Sequence, residues 1–258
     1  MPFFPESRRV FYAKNPLEEV ICQVRFPPVL RIDTEAPAEF QERIRKDFPL
    51  YRQAPAMVVP DGMPLPPQIL QLLSQQASSS HEFESQDQTW KLVLNREFLA
   101  LTTKRYESWQ EFRGRLETPL AALGDIYQPA FFSRLGLRYR DRIDREKLGL
   151  ANVPWRELFR REPLGELGDE DVGSHVVSIL REVVVSLEED AGRVRVVHGL
   201  RSDPALVYVI DCDFFTEVQV PIGGALDVLE RFNRKAFRLF RWYISDRLHH
   251  AMDPRDAA

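Results

Sequence analysis

Apolar and polar residues alternate with a period of two along some stretches and recur near every fourth residue along others. Val20, Cys22, Val24 and Phe26 alternate with Ile21, Gln23 and Arg25 until Pro27-Pro28 intervenes, which predicts a first strand. Thr34 or Glu35 can open the next element, in which Phe40, Ile44 and Phe48 are spaced for a short amphipathic helix that Pro49 ends. Five prolines between Ala54 and Pro67 then predict an extended excursion. Beyond it, His81–Ser85, Trp90–Leu94 and Phe98–Thr102 are short strands separated by polar turns, an antiparallel meander. Trp109, Phe112, Leu116, Leu120 and Leu123 lie at helical spacing, with Ser108 placed to cap the helix and Gly124 placed to stop it.

The alternation resumes at Phe131–Ile143, with Leu135, Leu137, Tyr139 and Ile143 on one face and Arg134, Arg138, Arg140 and Arg142 on the other. A short helix at Trp155–Arg160 and a Gly- and acid-rich loop follow. Val176–Leu187, Arg193–His198 and Ala205–Phe214 are the next strands, with Asp190-Ala191-Gly192 as a tight turn. A final helix from about Leu226 to His250 carries Leu229, Asn233, Phe237, Phe240, Ile244 and Leu248 on one stripe. Strand, helix, three strands, helix thus occurs twice. The predicted class is α+β, with antiparallel sheets and long packed helices arranged as two similar halves in a pseudo-twofold relation. The halves are residues 1–125, containing the Pro-rich excursion at 54–67, and 126–258, ending in the long helix.

Charge and cysteine content narrow the function classes. Lys and Arg number 35 against 39 Asp and Glu, a net charge of −4, which opposes non-specific coating of nucleic acid. Cys22 and Cys212 are the only cysteines and are spaced for neither a metal cluster nor a redox motif, so both are expected to be reduced and buried. No apolar run approaches the roughly 20 residues that a membrane-spanning helix needs, and the first residues lack the apolar core of a secretory leader. A cytoplasmic protein without membrane partner, metal or cofactor is expected.

The four arginines are the sharpest chemical feature. Same-face residues on a strand lie about 7 Å apart, a spacing that suits bidentate binding of a phosphate chain or an acidic partner. The competing reading pairs them across the sheet with acids such as Asp211, Asp213 or Glu182. Asp211 and Asp213 share one strand face, where a third carboxylate from another element would complete a divalent-cation site, against a salt-bridge reading; they are also the residues around which a carboxylate enzyme site would be built. Asp246, His249, His250 and Asp253 near the chain end fit a helix C-terminus, and His81, His175 and His198 fit structural roles. Trp242 and Tyr243, beside Arg238, Arg241 and Arg247, are candidates for an aromatic-basic contact patch, against a core reading. No hydrolase elbow, phosphate-binding loop, dinucleotide fingerprint or zinc-protease helix occurs.

Lys14-Asn15-Pro16-Leu17-Glu18-Glu19-Val20, Val24-Arg25-Phe26, Phe48-Pro49 and Thr102-Thr103 to Tyr106 with Trp109 and Phe112 make up one set of matching features. Arg134-Leu135-Gly136-Leu137-Arg138-Tyr139, Asp211-Cys212-Asp213-Phe214 and the terminal helix near Met252 and Pro254 complete it. Together they resemble a sporadically distributed family of uncharacterised bacterial proteins of similar length, over nearly the whole chain. The resemblance implies no catalytic residue; the family's patchy occurrence is similar to that of mobile defence or toxin and immunity genes. The expected function is a binding or interaction module for a protein partner rather than an enzyme. Recognition of nucleic acid or a nucleotide by the arginine face is the alternative, and an enzyme with a carboxylate site is the second.

Overall fold

The computed structural model describes residues 4, 8–55, 79–187, 192–202 and 205–256. It is an α+β structure whose ladders β3–β4, β4–β5, β5–β6, β8–β9 and β9–β10 are antiparallel. The strands are β1 Val10–Tyr12, β2 Leu17–Arg25, β3 Leu50–Pro55, β4 Ser79–Glu84, β5 Trp90–Leu94, β6 Phe98–Thr103, β7 Arg134–Ile143, β8 Ile179–Ser186, β9 Arg193–Ser202, β10 Leu206–Thr216 and β11 Pro254–Asp256. The helices are α1 Arg31–Thr34, α2 Ala38–Ile44, α3 Trp109–Tyr127, α4 Arg161–Leu164, α5 Ala225–Tyr243 and α6 Asp246–Ala251. Contacts divide the chain into a first unit, Ile21–Leu135 with Val218–Leu226, and a second, Met1–Val20, Gly136–Glu217 and Asp227–Ala258.

In the first unit the strand order is β3-β4-β5-β6-β2. Period-two alternation sends Phe83, Trp90, Leu92, Leu94, Leu99 and Leu101 to one buried face. Against it lie Phe40 of α2, 5.7 Å from Phe83, and Phe112 of α3, 5.6 Å from Trp90, measured between ring centres. Ser108 caps α3 as its spacing predicts, its side chain accepting from the Glu111 N–H. Gly124 does not end that helix. The helix continues to Tyr127 and Gln128 closes it in the left-handed conformation.

In the second unit the order is β7-β10-β9-β8, with the first residues of β2 beside β7. The buried face carries Leu137, Tyr139, Ile143, Val194, Val196, His198, Leu200, Tyr208, Ile210, Cys212 and Phe214. Helix α5 covers it with Val228, Leu229, Phe232, Leu239 and Tyr243. The expected single helix to His250 is two helices. The Arg160 N–H donates to the Tyr243 carbonyl, the Ser245 N–H donates to the Leu158 carbonyl, and Ser245 then caps α6 by accepting from the Leu248 N–H. Backbone pairing with residues 158–160 thus takes the groups that a continuous helix would use.

Strand β3 runs into the start of the Pro-rich segment, and Thr34 and Glu35 do not open the helix of Phe40 and Ile44: Thr34 ends α1, Glu35 follows it, and α2 begins after Pro37. Most of the excursion, 56–67, and Asp190-Ala191 of the expected tight turn lie outside the described residues. The pairing of β1 with β11, Val10 opposite Asp256 and Tyr12 opposite Pro254, has no counterpart in the expected order of elements.

Candidate functional site

The second unit's sheet has an outer face built from the alternate residues. Strand alternation puts Arg138, Arg140 and Arg142 of β7 there, opposite the buried Leu137 and Tyr139. Register puts Asp211 and Asp213 of β10 on the same side, with Arg195 of β9 opposite Asp213 and Val184 of β8 opposite Arg195.

These side chains form a relay of opposite charges across the strands. Arg138 grips Asp211 with two prongs, Nε to Oδ1 at 2.7 Å and Nη2 to Oδ2 at 2.5 Å. Arg140 bonds Glu19 at 2.9 Å and lies 3.8 Å from Asp211. Arg142 lies 3.8 Å from Glu18 and 3.7 Å from Asp144. Arg195 holds Glu182 through a second fork, with N–O distances of 3.0 and 2.6 Å, and this bond lowers the Glu182 carboxyl below its ordinary range. The arginine ladder is therefore compensated strand by strand, and a planar guanidinium fork is the geometry that fixes such pairs. Arg134 belongs to the first unit, where its charge opposes the burial that pushes the Cys22 thiol up to about 12.

No protein-family model matches the chain, and no curated protein matches it either.

The aromatic pair of the last long helix is not a shared exposed patch. Tyr243 is buried, its ring edge-on to His198 at 5.1 Å, and burial raises its hydroxyl above the ordinary range. Trp242 is half-buried, its ring 5.9 Å from Phe4, with the Arg160 guanidinium 5.9 Å from its centre. Residues at consecutive helix positions point about 100° apart, so the sheet takes one and leaves the other at the margin. His198 bonds the Tyr208 hydroxyl at 2.9 Å, and burial pushes its imidazole down to about 4. In the first unit, His81 is buried between the Tyr51 hydroxyl and the Ile32 carbonyl. His175 is exposed on the short turn Gly173–His175.

A polar cluster on the buried side of the second unit was not foreseen. Asn233 of α5 accepts at Oδ1 from the Tyr139 hydroxyl at 3.0 Å and from Arg9 at 3.2 Å, while its Nδ2 has no hydrogen-bond partner among the described residues. Asp141 shares the inward parity of Tyr139 on β7, and loss of hydration, with the charge of Asp211 adding to it, pushes its carboxyl up to about 8. The Tyr12 hydroxyl bonds His249 Nδ1 at 2.8 Å nearby in the chain fold. The available signal was a polar residue inside each apolar series, Asp141 in β7 and Asn233 in the stripe of α5. Among the described residues, no group of three His, Cys, Asp or Glu could hold a metal ion, and no helix is long and apolar enough to cross a membrane.

Proposed function

We propose that the chain is a protein-binding module and that its partner lies on the outer face of the second unit's sheet. The observation that supports this reading is the compensation of Arg138, Arg140 and Arg142 by Asp211, Glu19, Glu18 and Asp144. A phosphate chain would have to displace Asp211 from the Arg138 fork and Glu19 from Arg140, and the attraction of a polyanion is cancelled by the acids between the arginines. A protein surface of mixed charge and apolar side chains meets such a face without that displacement. The fixed guanidiniums give orientation, and Val209 and the exposed Val184 give apolar contact. The partner is in this reading a product of the same locus, because the family that the chain resembles has a patchy occurrence similar to that of mobile defence or toxin and immunity genes, and the chain acts as its accessory rather than as a catalyst.

The test uses two measurements. Fluorescence anisotropy with single- and double-stranded oligonucleotides at low salt is expected to show no binding. A photo-crosslinking residue at position 209 is expected to trap one discrete protein adduct in cells, and the same residue at Val218 to trap none. The nucleic-acid alternative replaces this reading if wild type binds oligonucleotides and the joint change of Arg138, Arg140 and Arg142 to Gln flattens the salt dependence. That flattening would reach about 2 to 3 log units per log unit of salt, each phosphate contact contributing roughly 0.7 to 0.9.

A further inference from the structure

Strand β8 is the last strand of the second unit's order and has a hydrogen-bonded neighbour, β9, on one side only among the described residues. An unpaired strand edge is a template for another strand, and soluble proteins blunt such edges with prolines, bulges or closely placed charges. Strand β8 carries Ile179, Leu180, Val183, Val184 and Val185 around just two charges, Arg181 and Glu182, and no proline. Leu180, Val183 and Val184 are 49%, 40% and 53% exposed. They do not share a face: Val183 has the parity of the buried side, opposite Val196 of β9, and Val184 that of the outer side, opposite Arg195. A strand apolar on both faces with an open edge fits an added strand better than it fits solvent.

We infer that the added strand is β8 of a second copy, paired antiparallel about a twofold axis perpendicular to the sheet at Val183. Such an axis keeps each residue on its own face, so facing residues must have the same parity, and every allowed register is centred on a residue. Centres at Arg181 or Glu182 set like charges directly opposite each other and are disfavoured. A centre at Val184 leaves fewer residues paired than a centre at Val183. At Val183 the strand pairs from Leu180 to Ser186: Val183 meets itself, Glu182 meets Val184, Arg181 meets Val185, and Leu180 meets Ser186. Both charges are already engaged within their own copy, Glu182 by Arg195 and Arg181 by Glu166. Neither has to find a new partner across the axis. The two readings share Val184, whose side chain stays on the outer face when β8 is paired, but their tests are separate, because Val209 lies two strands away from the edge.

Sedimentation velocity on the full chain across a range of concentrations is expected to give twice the chain mass, and Val183→Arg, which sets two cations face to face, to give the single mass. Loss through misfolding is separated by Val183→Cys. Residues that face themselves have Cα atoms about 4.5 to 5.5 Å apart, within the range a disulfide spans. Mild oxidation should therefore join Val183→Cys chains covalently and leave Leu180→Cys chains, whose positions lie about 20 Å apart in this register, unjoined. A monomer at every concentration overturns the inference and leaves the position-209 adduct unaffected. A dimer that crosslinks through position 180 and not 183 overturns it too.

Discussion

At Asp141 a single carboxyl links the fold to pH. Its folded value near 8 stands above the roughly 3.9 of an unfolded aspartate, so the folded chain holds this proton more tightly. The stabilising contribution is complete below pH about 4 and is lost as pH rises through about 8. Asp141→Asn should therefore melt progressively higher than wild type across that window, with a constant advantage above it. Thermal melts at matched ionic strength measure this, and a difference independent of pH would show that Asp141 ionises normally. His198 acts in the opposite sense: its folded value near 4 lies below the unfolded 6.5, so its contribution is present above pH 6.5 and is lost as pH falls through 4. A variant lacking the Asp141 charge should thus expose the His198 slope on the acid side. Alternation makes the direction of Asp141 legible in the sequence, but how much water its carboxyl loses is set by tertiary packing.

Elements built on one buried face were the legible ones. Leu137 is fully buried and Arg140 faces outward, as strand alternation requires of β7. Leu137→Ala should cost about 2 to 5 kcal/mol in urea unfolding, and Arg140→Ala about 0 to 1, because the Arg140 side chain of the pair is 43% exposed. Equal losses would reverse the assignment of faces. Ser108→Ala should cost about 0.5 to 2 kcal/mol by removing the cap of α3. Strand β9 has a stricter requirement at Gly199, where φ is +151° and any Cβ would collide with the Ile179 carbonyl. Gly199→Ala should displace the start of β8, seen as faster amide exchange at Ile179 and Leu180 with β10 unaffected. Strand β3 was illegible because Leu-Tyr-Arg-Gln-Ala-Pro has no apolar alternation; its register with β4 creates it. The break between α5 and α6 was hidden for a related reason, since the backbone groups that interrupt the helix belong to residues 158–160.

Across the whole chain, the hairpin neighbours β4-β5-β6 and β8-β9-β10 follow from local pattern, whereas the neighbours β6-β2 and β7-β10 and the closure of β1 on β11 join residues far apart in the sequence. No periodicity within three residues announces such a pair. The arginine face shows the same division between local and distant information: its composition is visible in β7, but its neutrality depends on Glu18 and Glu19 of β2 and Asp211 of β10. The β1–β11 ladder also sets how the chain bears tension. Val10 sits opposite Asp256 and both leave the ladder at the same end, so a pull on the two ends opens it like a zipper, one rung at a time, rather than shearing all rungs together. An optical trap attached at the two ends should record a small release at low force as this clasp peels, followed at higher force by the long ladders of the second unit.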